Sequence, residues 1–173
     1  MIKGRKVILD SIQEQDLLTV YNIIQTEDVG PALSTTVKEL NLASLGKFLF
    51  TTEPGTECKV FVIKYNDEVV GFVTLNNIHT IRHNAYIGMI AIDPTCKEKL
   101  LGLNALRTII DYAFNYLNLH RLYGHTFSNN KRMNALYDRG GWIHEGTERE
   151  YAFYDGEWID REIWGILRTE YKG

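Results

Sequence analysis

Between residues 90 and 103 the chain carries the parts needed to grip a ligand bearing both phosphates and amides. Ile90, Ala91 and Ile92 end a β-branched run at Asp93-Pro94, Lys97 and Lys99 follow, and Leu101, Gly102 and Leu103 open a long helical pattern. A helix N-terminus turns unpaired backbone N–H groups and the positive end of its dipole toward an anion. A strand with one open edge can pair with an amide-bearing arm. Two residues oppose the grip. Glu98 adds a charge that repels phosphate if it points inward, and Leu100 adds bulk; Lys97 and Lys99 are placed to offset that charge.

Other reactive residue types read differently. His79 and His83 stand four apart but fall between strands, have no third ligand at suitable spacing, and lack the glutamate of a helical zinc motif, so no metal site is expected. Cys58 and Cys96 lack paired spacing and read as free thiols, and no Cys/His arrangement makes Cys96 a nucleophile. Glu145, Glu148, Glu150, Glu157 and Asp160 make the C-terminal third acidic, which suits a cationic amine and equally suits a solvated strand face. His83, Glu148 and Asp93 are the candidates for a general base.

The positioning elements follow from periodicity. Lys6 to Leu9 is a short β-rich run, residues 13–25 carry a helical pattern, and residues 36–50 carry a weaker one before Pro54-Gly55. Val60 to Ile63 and Val69 to Leu75 flank Asn66-Asp67, which predicts a tight hairpin, and Ala85 to Ile92 forms a third strand stopped by proline. Leu103, Leu106, Ile110, Ala113 and Leu117 form one helical stripe. A strand over 120–127, a short helix over 130–139 closed by Gly140-Gly141, and two strands around Asp155-Gly156 complete the order. Trp142, Trp158, Trp164, Tyr151, Phe153 and Tyr154 concentrate in those last strands, where alternate residues face opposite ways; one set is expected to fill the core while the other lines an acceptor pocket or a dimer seam, with core packing the favoured reading.

Composition bounds the rest. At 173 residues, 45% hydrophobic, the chain supplies one core, so a single domain over 1–173 is expected. A net charge of -3 and a pI near 6.0 leave no basic field for generic nucleic-acid binding. Met1 to Arg5 lacks an apolar signal core, and no stretch reaches the roughly 20 apolar residues of a membrane span. A cytoplasmic protein with no membrane partner is expected.

The order of elements, with Ile87-Gly88, Ile92-Asp93-Pro94, Asp111-Tyr112-Ala113-Phe114, Leu119-His120-Arg121-Leu122, Asn130, Tyr137, Gly141-Trp142, Glu145-Gly146, Arg149 and Asp155-Gly156-Glu157 with Asp160, resembles the GNAT superfamily of N-acetyltransferases. It is similar above all to the branch acting on ribosomal-protein N-termini, amino sugars and small amines. The resemblance runs over nearly the whole chain. It implies an α+β fold with a central mixed, mostly antiparallel sheet of six to seven strands and about four helices. It also implies acetyl-CoA as donor, with the strand end at Ile90, Ala91 and Ile92 pairing with the pantetheine arm. The loop carrying Lys97 and Lys99, with Leu101, Gly102 and Leu103, would then meet the pyrophosphate. Asn130 would bond the arm, and Tyr137 would give a proton to the departing thiolate. A small-molecule or peptide amine would accept the acetyl group, and a homodimer is plausible.

This chain departs from the family pattern at Glu98 and Leu100, where glycine is usual, and at Tyr86, where several relatives have glutamate. Those departures leave two alternatives: a GNAT-fold binding module without catalysis, or an acyltransferase taking its acyl group from a carrier-protein thioester.

Overall fold

A computed structural model of the chain describes residues 1–26, 41–50, 57–96, 98 and 100–173. The expected helix over 36–50 therefore falls partly outside the described residues, and the break at Pro54-Gly55, Lys97 and Lys99 fall wholly outside them. The described elements are β1 (Ile2–Lys3), β2 (Ile8–Ser11), a 3₁₀ turn (Glu14–Asp16), α1 (Leu17–Gln25), α2 (Leu42–Phe50), β3 (Glu57–Tyr65), β4 (Glu68–His79), β5 (Asn84–Ile92), α3 (Leu101–Asp111), β6 (Arg121–Phe127), α4 (Lys131–Arg139), β7 (Ile143–Tyr154) and β8 (Glu157–Leu167).

The strands form one sheet in the order β1-β2-β3-β4-β5-β6-β8-β7. Among the described residues eight strands stand where six or seven are expected, because Ile2 and Lys3 double back on Leu9 and Ile8. All neighbours are antiparallel except β5 and β6, which run parallel with α3 as their crossover. The hairpin turns take the form their residues predict: Asn66 and Asp67 have φ of 50° and 65°, and Asp155 and Gly156 have 51° and 84°, the all-positive pattern of a type I′ turn.

Two apolar layers cover the sheet. On one face α3 sends Leu106, Ile109 and Ile110 against Val73, Leu75 and Ile87. On the other, Val20, Ile23 and Ile24 of α1 and Leu45 and Leu49 of α2 pack on Val62, Phe72, Met89 and Ala91. The stripe read as one helix to Leu117 instead ends its α-helical part at Asp111 and passes through a wider π turn over Tyr112–Tyr116. Leu117 N–H then reaches the Tyr112 carbonyl at 3.1 Å.

The aromatic C-terminal strands correct a sequence expectation. Trp142 is buried and Trp164 packs at the edge of the core, but Tyr151, Phe153 and Trp158 are exposed. β7 is the outermost strand, so the sheet's last hairpin runs on past the layer that covers its middle. No helix among the described residues is long and apolar enough to cross a membrane.

Candidate active site

The functional feature of this sheet is a fork. β5 pairs with β6 only from Asn84↔Arg121 to Ile87↔Gly124, and beyond that point the two strands part. Gly88 to Ile92 and His125 to Phe127 therefore face each other without ladder bonds, while each strand keeps its other neighbour. A β-bulge causes the parting. Between Val73↔Ile90 and Leu75↔Ile87, β5 spends one residue more than β4, and the Thr74 Oγ1 accepts the Met89 N–H at 2.9 Å. A bulge adds twist and re-aims the strand that carries it. It also exchanges faces: Ala85 and Ile87 point to the α3 layer, whereas Met89 and Ala91 point to the α1–α2 layer. Glycine suits position 88, since a Cβ there would lie 2.6 Å from the same Thr74 oxygen.

A cavity of about 610 Å³ opens at the fork. Ile90, Ala91 and Ile92 line it from β5, Leu101 and Gly102 from the start of α3, and Asn130 from the start of α4, so six of the expected donor-binding residues meet in one place. Leu103 is half-buried one position further along α3 and does not line the cavity. Among the described residues no side chain caps α3, and the helix starts at this space with its first amides unbonded within the helix.

The two residues expected to oppose the grip, Glu98 and Leu100, both line the cavity. Leu100 takes φ 68° and ψ 12°, the left-handed geometry for which glycine is the easy choice, and its side chain is exposed. A conformation suited to glycine is thus adopted at position 100, with a strain of about 1–2 kcal/mol for a Cβ in that region. Glu98 is ion-paired with Lys6 from the β1–β2 turn, so its charge is answered from the far end of the chain. That bond holds the Lys6 ammonium above its usual range.

Tyr137 lies behind the fork. It is fully buried and does not line the cavity; its ring is tilted against Trp142 at a centroid distance of 4.5 Å and stacked on Trp164 at 5.8 Å, and its hydroxyl abuts Gly124, the last β6 residue paired with β5. Among the described residues that hydroxyl finds no hydrogen-bond partner. Burial drives its pKa well above the ordinary tyrosine value, so it stays protonated at neutral pH. Asn130 caps α4, its Oδ1 accepting the Met133 N–H at 3.0 Å, and lines the cavity as well.

The face opposite α3 carries groups that sequence reading did not assemble. His125, one residue past the fork, lies against Tyr86 of β5 at 5.2 Å and Tyr123 at 6.1 Å. Arg161 of β8 stacks over the Tyr151 ring at 3.6 Å and is ion-paired with Glu148. Tyr86, His125, Tyr151 and Arg161 all line the cavity. Burial first, then the Arg161 guanidinium, holds the His125 imidazole below the usual histidine range. Tyr86 is pushed up, again chiefly by burial. Period-2 alternation along β6 could have put Tyr123 and His125 on one face, but nothing in the sequence joins them to Arg161.

The three base candidates fare unequally. Glu148 is held low by the hydrogen bond from Arg161, which makes it a poor proton acceptor. His83 sits at the other end of β5, its Nδ1 3.0 Å from the Asn118 carbonyl. Asp93 lines the cavity but accepts the Thr95 N–H and hydroxyl at 2.8 and 2.7 Å. Cys96 also lines the cavity, beside the α3 loop. Among the described residues no group of three or more His, Cys, Asp or Glu side chains is placed to hold a metal ion.

Comparison with known proteins gives this geometry a context. Residues 9–164 match the family model for the acetyltransferase (GNAT) domain. Spermidine N(1)-acetyltransferase of Vibrio cholerae is 31% identical over 103 residues, covering 60% of this chain and 59% of that protein. The ribosomal protein uS5-alanine N-acetyltransferase of Escherichia coli is 27% identical over 107 residues, covering 60% of this chain and 54% of that protein. Both alignments span less than two thirds of the relative's length. A crystal structure of the Vibrio cholerae spermidine enzyme with CoA and spermine superposes with a TM-score of 0.85 at 23% identity, over 96% of this chain and 98% of that one, and shares its fold.

Proposed function

Because this chain belongs to the GNAT acetyltransferase family, we propose that it transfers an acetyl group from acetyl-CoA to a primary amine by direct attack in a ternary complex. The observation that carries the proposal is the fork: two strand edges left unpaired from Gly88 and His125 onward, opening into a cavity that reaches the uncapped start of α3.

The residues fit the donor on two further counts. The Tyr137 hydroxyl, without a partner among the described residues, is held behind the fork apex, and Leu100 adopts the left-handed conformation that a glycine there would favour. The edge at Ile90, Ala91 and Ile92 would hold the pantetheine amides, with Asn130 at its side. The amides of Leu101, Gly102 and Leu103 would meet the pyrophosphate, joined by Lys97 and Lys99, which lie outside the described residues. The donor supplies an activated thioester. The chain holds and orients it, polarises the acyl oxygen through backbone N–H groups of β5, and keeps a protonated phenol at Tyr137 for the leaving sulfur.

The acceptor in this reading is a small-molecule or peptide amine. A cytoplasmic location belongs to the same reading, as does one domain over 1–173. Self-association as a homodimer is supported by the exposed Tyr151, Phe153 and Trp158 on the outer hairpin. Sedimentation of the native chain beside Trp158→Glu tests it, since the variant should shift toward monomer.

Isothermal titration with acetyl-CoA, followed by thiol release on addition of spermidine or an alanine-initiated peptide, tests the activity. Saturable donor binding with amine-dependent thiol release is the expected result. Absence of heat at millimolar donor would remove the transferase reading.

A further inference from the structure

Amine acylation has two protons to move: one leaves the nucleophilic nitrogen and one reaches the departing sulfur. The fork separates those tasks in space. Gly124 faces the α3–α4 side, where a Cβ would fall on the Tyr137 hydroxyl. His125, the next residue, faces the opposite side with Tyr86. Directly paired residues of adjacent strands share a face, so Trp164, opposite Gly124, lies with Tyr137, and Arg161, opposite Phe127, lies with His125. His125 and Arg161 line the cavity, whereas Tyr137 and Trp164 lie behind the fork apex, outside its lining.

We propose that His125 accepts the amine proton, working across the fork from Tyr137, so that one side chain on each face of the sheet handles one proton. The inference rests on the transferase reading above. His125 gains its place by elimination as well as by position. Tyr86 is held protonated by burial, Glu148 is engaged by Arg161, Asp93 is engaged by Thr95 at the α3 loop, and His83 is at the far end of β5.

The step balances. The nitrogen lone pair forms the C–N bond to the acetyl carbon, the nitrogen's proton passes to the imidazole, the C–S bond breaks with its electron pair on sulfur, and the Tyr137 proton goes to that sulfur. Exchange with solvent returns the imidazolium and phenolate to their starting forms. An acceptor arriving as an ammonium releases one further proton to solvent first.

The groups facing His125 among the described residues are Tyr86 from β5, Tyr123 on its own strand, Arg161 from β8, and Glu148 and Tyr151 from β7. Arg161 disfavours a second positive charge beside it, and Glu148 favours one. Replacing Arg161 by methionine should therefore raise the affinity of the imidazole for a proton.

The experiment combines ring titration by NMR of histidine-labelled protein with the pH profile of kcat/KM, using spermidine and an alanine-initiated peptide as acceptors. In the native chain the acid limb should coincide with the His125 ring pKa, below the ordinary value of about 6.5. In Arg161→Met both should move up together. His125→Gln should lose that limb and about 10²-fold in kcat while binding CoA with native affinity by titration calorimetry. An acid limb that survives His125→Gln, or that stays put while the ring pKa moves in Arg161→Met, overturns the assignment and leaves the transferase reading intact. Should His125→Gln fail to bind CoA, the Arg161→Met comparison decides alone. Failure of the native chain to acetylate either amine removes the transferase reading and this inference together.

Discussion

The Tyr137 hydroxyl occupies the space that a β-carbon on Gly124 would need, so the buried phenol and the last paired residue of the fork are fitted to each other. An unpartnered buried hydroxyl costs stability, about 1–3 kcal/mol for a group left without a hydrogen bond. A group retained at such a cost is of the kind found where charge appears during a reaction.

Tyr137→Phe should therefore separate stability from activity. Thermal melting should hold or rise, because the orphaned oxygen is gone, while kcat falls by about 10²-fold through loss of the proton donor. Gly124→Ala should lower both: the added methyl displaces the ring from a close-packed site, at about 1–3 kcal/mol by chemical denaturation. A Tyr137→Phe protein with native kcat would remove the tyrosine from the mechanism.

At the donor loop, Leu100→Gly should relieve the left-handed strain. Glycine also serves as an N-cap, so a net gain of up to about 1 kcal/mol is expected after the added freedom of the unfolded chain is counted. Differential scanning calorimetry measures the gain, and CoA titration should show affinity equal to or better than native.

Lys6 and Glu98 form a pair whose expected effect lies in binding rather than in folding, since both side chains are partly exposed. Lys6→Ala frees a negative charge at the mouth of the α3 site and should weaken CoA by about two- to fivefold at low salt, with the difference shrinking as ionic strength rises. Glu98→Gln should act in the opposite direction. Equal CoA affinity of both variants at every salt concentration would show that this charge does not face the donor.

The bulge that opens the fork rests on one hydroxyl. Thr74→Val leaves the buried Met89 N–H without its acceptor and should cost about 1–3 kcal/mol in urea unfolding. CoA affinity should fall with it, whereas Phe72→Val, at a nearby core position, would leave the bulge bonded. Retention of full stability in Thr74→Val would mean the strand parts for another reason.

Much of the scaffold was legible before folding because its causes are local. Asn66-Asp67 and Asp155-Gly156 tolerate positive φ and therefore mark hairpins, Asn130 caps the helix that follows it, and Gly141, at φ 80°, ends that helix. The strand end at Ile90 to Ile92 and the helix start at Leu101 were legible for the same reason, as was the family pattern that unites them.

What folding alone decided involves residues distant in sequence or energies that no residue type announces. The bulge depends on a hydroxyl fifteen positions away, from Thr74 to Met89, and the neutralising partner of Glu98 is ninety-two positions away. Leu100 adopts a left-handed conformation at the start of α3 that its own residue type disfavours. Tyr151, Phe153 and Trp158, expected in the core, lie exposed because the outer hairpin extends beyond the layer that could bury them. His125 became visible as a proton acceptor only when its strand was set beside Tyr86 and Arg161, since an imidazole's charge depends on what surrounds it rather than on its place in the chain.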